Sequence, residues 1–119
     1  MLLRSYLYVP GNRRDLLAKV LRQRADAIVV DLEDAVPATE KAVARRITAE
    51  FIAGLPADPG SAIFVRLNAG DAALEDAAGL PTTRIAGLRL PKAEDPALVA
   101  ALDRLLGEAA GVEITPIIE

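Results

Sequence analysis

The stretch RADAIVVDLEDAV, Arg24 to Val36, carries an apolar run from Ala27 to Val30 straight into Asp31, Glu33 and Asp34. Carboxylates this close raise one another's pKa unless a cation or hydrogen-bond donors gather beside them. The cluster is therefore either a solvated turn or part of a site. Alternation along a strand would place Asp31 and Glu33 on one side, Leu32 and Asp34 on the other. The competing reading has these acids capping the next helix or pairing with Arg and Lys from neighbouring strands. Arg66 follows Phe64-Val65, and an arginine at the end of a buried strand calls for an anionic partner. A salt bridge to Glu33 or Asp34 would satisfy it. So would a substrate carboxylate, or an oxygen that becomes negative during reaction. Pro10-Gly11-Asn12-Arg13-Arg14 places a glycine turn before a helix, where amides and arginines can hold a phosphate; an ordinary strand-to-helix turn fits it as well. Lys92 and Glu94 read equally as surface charge. Glu119, after Pro116-Ile117-Ile118, suits Mg2+, which takes one or two carboxylates plus waters and substrate oxygens.

Composition narrows the classes. The chain has 119 residues, enough for one compact domain with a core. Two Tyr, two Phe and no Trp leave that core to Ala, Val, Leu and Ile. A net charge of −3 argues against a nucleic-acid surface, which needs clustered Lys and Arg. So few aromatics also remove the stacking platforms of single-strand binders. No apolar run approaches the roughly 20 residues of a bilayer span, and MLLRSYLYVPGNRR lacks the plan of a signal peptide. With no cysteine and no histidine, these residues offer no disulfide, thiolate ligand, imidazole ligand or triad. A cytoplasmic protein is the default expectation. Chemistry here falls to carboxylates, Arg, Lys, hydroxyls, backbone amides or a hard metal ion.

Five apolar runs must position these groups: Tyr6 to Val9, Ala27 to Val30, Ala62 to Val65, Gly87 to Leu90, and Glu113 to Ile118. Helical periodicity lies between most of them. Leu16, Leu17, Val20 and Leu21 share one face of the first helix, and Val43, Ile47 and Phe51 mark the second. A weak helix spans Ala72 to Ala78. Leu98, Leu102, Leu105 and Leu106 mark the last helix, opened by Asp95 as N-cap with Pro96 behind it, and closed by Gly107 or Gly111. Strand–helix alternation predicts a parallel sheet with right-handed crossovers. The polar residues fall at the C-terminal ends of several strands, as in a (β/α)8 barrel, whereas a doubly wound sheet gathers them at one switch point. The expected fold is α/β, a (β/α)8 TIM barrel of which this chain supplies about the first five strands. A full barrel takes about 250 residues, so residues 1–119 read as the N-terminal part of one barrel domain in a longer protein.

SYLYVPGNR, DAIVVDLEDAV, FVRLNA, GLRLPKAED and ITPIIE occur in the order and spacing of the citrate lyase β-subunit-like family, within the HpcH/HpaI aldolase superfamily, and the chain resembles that family along its whole length. The resemblance implies a barrel enzyme that cleaves or forms carbon–carbon bonds in citryl, malyl or related CoA or acyl-carrier thioesters, with Mg2+ as the metal. By position, Arg66 is similar to the family's active-site arginine and Glu119 to its first metal-binding glutamate. Glu33 and Asp34 match its acidic pair near the metal and its waters. Gly11, Arg13 and Lys92 fall where substrate or CoA contacts lie. A second metal carboxylate, an aspartate, is expected downstream of Glu119, so the 119 residues alone are expected to be inactive. The resemblance also implies a homo-oligomer, trimer or hexamer, or assembly with other citrate-lyase-type subunits. The absence of histidine weighs against the pyruvate-type class II aldolases of the superfamily, which use a histidine base. A non-catalytic half-barrel that binds a thioester or phosphate, or assembles with a partner, is the competing class.

Overall fold

The computed structural model describes residues 3–92, 95–107 and 112–117. Strands and helices alternate as β1 (Tyr6–Pro10), α1 (Arg14–Val20), β2 (Ala27–Asp31), α2 (Lys41–Ala53), β3 (Ala62–Arg66), α3 (Ala72–Ala78), β4 (Gly87–Leu90), α4 (Pro96–Leu106) and β5 (Glu113–Pro116). All pairings are parallel, and the sheet order is β1-β2-β3-β4-β5. An open doubly wound sheet reverses its strand order at a switch point. This sheet never reverses, which is the order of successive strands in a (β/α)8 barrel.

Alternation splits the strand residues between two faces. On the outer face Val9, Ile28, Val30, Ile63, Val65, Leu88 and Leu90 pack against Leu17 and Val20 of α1, Ala44, Ile47 and Ile52 of α2, Ala73 and Ala77 of α3, and Leu102 of α4. The inner face carries a smaller cluster of Ala27, Val29 and Phe64. Both faces of β2 are apolar, and all five of its residues are buried.

The helices are set by local chemistry. The Asp95 carboxylate accepts the Ala97 amide at 2.9 Å, Pro96 follows at the first helical position, and Gly107 closes α4 with φ of 58°. The second helix differs from its sequence reading: it buries Ala44, Ile47, Thr48 and Ile52, while Val43 is 38% exposed. A four-residue repeat drifts about 40° per step around a helix of 3.6 residues per turn, which leaves Val43 off the edge of the buried stripe while Phe51 packs against the core. Leu16 is likewise exposed, and Leu21 belongs to a 3₁₀ turn that follows α1.

Candidate active site

Register builds the site. Pro10 pairs with Asp31, Asp31 with Arg66, Arg66 with Arg89 and Arg89 with Thr115, one transverse row at the C-terminal ends of the strands. The row is locked from strand to strand: Gly11 donates its amide to Asp31 O at 2.8 Å, Leu32 to Arg66 O at 2.9 Å, and Leu67 to Arg89 O at 2.9 Å.

Arg66 and Asp31 form its centre. Arg66 donates from Nε to Oδ1 at 2.9 Å and from Nη2 to Oδ2 at 2.5 Å, a bidentate fork that fixes the guanidinium plane. Asp31, 2% exposed, also accepts the amides of Glu33 at 2.8 Å and Ala35 at 3.1 Å. Burial pushes the Asp31 carboxyl up, but the hydrogen bonds from Arg66, Glu33 and Ala35 and the Arg66 charge outweigh it and hold it below its ordinary value. The same hydrogen bond to Asp31 raises Arg66 against its burial, helped by the charges of Asp31, Glu33 and Asp34. Glu33 Oε1 and Asp34 Oδ2 each lie 3.9 Å from the guanidinium.

The sequence pointed Arg66 at Glu33 or Asp34; its short contacts are instead to Asp31. The chain leaves the strand after Asp31, so strict alternation stops there. Leu32 goes into the outer core, Glu33 is buried, and Asp34 is exposed while still facing Arg66. One signal could have found the Arg66–Asp31 pair. AIVVD and AIFVR are five-residue runs of the same pattern, and setting them side by side places the aspartate against the arginine.

Three supports were also missed. Lys41, at the start of α2, donates from Nζ to Leu32 O at 2.9 Å and Glu33 O at 2.6 Å, closing the acidic turn. Asp76 of α3, buried, accepts the amide and Nδ2 of Asn68 at 2.8 and 2.9 Å and Nε of Arg45 at 2.9 Å, fixing the segment beyond Arg66. Arg89, the next member of the row, stacks over the rings of Tyr6 and Phe64 at 4.8 and 5.3 Å.

The remaining candidates differ in kind. Gly11 is buried, and a Cβ there would meet Thr48 Oγ1 at 2.6 Å and Leu32 Cδ2 at 2.9 Å. Its amide and carbonyl are engaged by Asp31 and Thr48, so its part is close packing beneath the site. Arg13 is exposed and forks onto Asp15 at 3.0 and 2.8 Å. Lys92 is exposed past β4, with a left-handed φ of 51°. Glu94 and Glu119 lie outside the described residues. Among the described residues no group of three or more acidic side chains is arranged to hold a metal. The donor chemistry is nevertheless that of a hard cation, oxygen without nitrogen or sulfur ligands, and Mg2+ asks the protein for only one or two carboxylates.

The sequence model of the family described as HpcH/HpaI aldolase/citrate lyase matches residues 4–115. A citrate lyase subunit beta-like protein of Deinococcus radiodurans is 43% identical over 111 residues, covering 90% of this chain and 39% of that protein. A (3S)-malyl-CoA thioesterase of Cereibacter sphaeroides is 35% identical over 106 residues, 87% of this chain and 36% of its own. The crystal structure of protein CitE from Mycobacterium tuberculosis in complex with magnesium, acetoacetate and coenzyme A superposes with a TM-score of 0.67 at 29% identity, over 98% of this chain and 40% of that one. The chain thus spans less than half the length of each.

Proposed function

The chain belongs to the HpcH/HpaI aldolase/citrate lyase family, and from that premise we propose that the protein carrying it is a Mg2+-dependent carbon–carbon lyase of acyl thioesters. The proposed substrates are citryl-, malyl- or related CoA or acyl-carrier thioesters, and the proposed compartment is the cytoplasm. The observation that carries the reading is the Arg66 guanidinium, clamped by Asp31 through Nε and Nη2 at a strand's C-terminal end.

In cleavage the substrate hydroxyl passes its proton to a general base, the bond between the carbinol carbon and the carbon next to the thioester breaks, and a 2-keto acid is left, the protonated base being available to return a proton to the other fragment. The electron pair of that bond moves onto the thioester as an enolate, which then takes a proton at carbon. In this reading Arg66 donates to the thioester oxygen as its charge grows. Asp31 holds the fork in advance, so little reorganisation accompanies the step, and such donors are worth about 10²–10³ in rate. When bound, Mg2+ supplies Lewis acidity toward the keto-acid oxygens. Glu119 would hold it directly, and Glu33 and Asp34 through its waters. Arg13 and Lys92 are the proposed contacts for the CoA or carrier arm, and Gly11 shapes the floor beside them. The proposed partners are further copies of the protein, as trimer or hexamer, or other citrate-lyase-type subunits.

The test is release of acetyl-CoA and a 2-keto acid from citryl-, malyl- and citramalyl-CoA by the natural gene product, with Mg2+ and with chelator. Metal-dependent appearance of both products is expected, reduced about 10²–10³-fold in Arg66→Lys. The thioesterase relative favours a second reading, hydrolysis of the thioester. Free CoA thiol without any keto acid would select hydrolysis and overturn the lyase.

A further inference from the structure

Arg89 is a cation with no carboxylate within ion-pair reach among the described residues. It lies on the inner face, register partner of Arg66, in the row that carries the site. Its guanidinium sits between the rings of Tyr6 and Phe64. Nη1 donates to Tyr8 Oη at 3.3 Å, and Nε is buried without an acceptor among the described residues. Tyr8 joins the two arginines, since its ring also lies 5.3 Å from the Arg66 guanidinium carbon. Aromatic faces compensate a guanidinium only in part, and a buried donor without an acceptor costs free energy that an incoming anion would recover. Asp31 forks onto Arg66, and Glu33 and Asp34 lie 3.9 Å from that same guanidinium. Among the described residues, the ion pairs at this site all run to Arg66. A row built only for packing would use an apolar side chain at position 89, as Leu88 and Leu90 do on the other face.

We propose that Arg89 binds a second free carboxylate on the keto-acid half of the substrate, so that the site selects acyl thioesters whose cleavage yields a dicarboxylic 2-keto acid over those that yield a monocarboxylic one. The inference rests on the lyase reading for its choice of ligand. Within that reading Arg66 attends the thioester oxygen, and Arg89 attends the far end of the other fragment. Chemically, the distinction is that between citryl and citramalyl thioesters, which differ by a carboxylate on one methyl group.

The test compares kcat/KM for citryl-CoA and citramalyl-CoA in the natural gene product, in Arg89→Met and in Arg89→Lys. The citryl thioester should be preferred roughly 10- to 100-fold, the range of a hydrogen bond to a charged group. That ratio should fall toward one in Arg89→Met, with citryl KM rising, and recover in part in Arg89→Lys. A ratio is unaffected by the fraction of folded enzyme. No preference in the parent protein, or a loss in Arg89→Met that strikes both substrates equally, would overturn the proposal. Calorimetric titration with oxaloacetate and with pyruvate, in Mg2+ and without turnover, reads the same discrimination independently. If neither thioester is cleaved but oxaloacetate is bound over pyruvate through Arg89, the lyase reading fails and this one stands. If thioesters are cleaved and the two keto acids bind alike, the reverse holds.

Discussion

Asp31 is buried, yet it is charged, because every lone-pair direction it offers meets a donor. Removing that charge while leaving its shape exposes what the pair contributes. Asp31→Asn keeps the acceptor for one amide but removes the carboxylate that forks onto the Arg66 guanidinium, and breaking such a pair costs about 3 kcal/mol. The pH dependence follows from the direction of the shift. The folded-state pKa of Asp31 lies below its ordinary value, which is about 3.9 unfolded. Its stabilisation is therefore fully present above that value and is lost as pH falls through the lower folded one. Asp15 is held at about 2 by its hydrogen bond from Arg13, assisted by that charge against slight burial, but the pair is exposed and screened and contributes little. Urea midpoints measured from pH 6 down to pH 3 should fall in the parent chain and fall less steeply in Asp31→Asn. Parallel curves would show that the pair does not couple to folding.

Elements carry the site only where they approach closely, and Gly11 shows how. It sits where the end of β1 meets the Asp31 carbonyl on one side and Thr48 of α2 on the other. A Cβ at 2.6 Å from Thr48 Oγ1 and 3.1 Å from Asp31 O forces α2 or the end of β2 to shift, and overpacking of this kind costs about 1–3 kcal/mol. Gly11→Ala should lower the unfolding midpoint accordingly, and pairing it with Thr48→Ala should restore part of the loss; an additive double variant would place the strain elsewhere. Much of this scaffold was legible in sequence. The apolar runs become the strands within a residue where they are described, Ala72–Ala78 is a helix, and the Asp95 cap forms. Those features rest on local signals: β-branched runs, a cap, a proline. What was not legible depends on neighbours distant in sequence. The partner of Arg66 is set by the register of β2 on β3. The Lys41 closure of the acidic turn requires α2 to return over β2, and the exposed Val43 shows that the phase of α2 is decided by the sheet beneath it. Arg89 read as one more residue of an apolar run because nothing local distinguishes the two faces of β4.

At the scale of the whole molecule the two faces of the sheet are treated differently. Helices cover the outer face, whereas no described helix covers the inner one, where Tyr6 and Tyr8 are 46% and 45% exposed. Among the described residues β1 and β5 each have one neighbour only, so both sheet edges present unpaired backbone groups. Beside β5, a groove of about 650 Å³ runs between Val99 and Ala100 of α4 and Ile114 and Pro116 of the strand. A net charge of −3 offers little repulsion to offset such surfaces. Exposed aromatic and apolar surface next to open strand edges drives association, so the 119 residues produced alone should sediment as species larger than 12.6 kDa. A monodisperse monomer of 12.6 kDa would refute this, since it requires the inner face to be stable in water as it stands. The same preparation tests where the chemistry resides. A barrel draws its catalytic groups from several strands, and the described strands bring Asp31, Arg66 and Arg89 to one row without assembling a metal centre. Associated but inactive 119-residue chains, beside an active natural gene product, would locate the remaining ligands outside that row. Metal-dependent cleavage by the 119 residues alone would instead require Glu33, Asp34 and Glu119 to suffice, and would make these residues a catalyst in themselves.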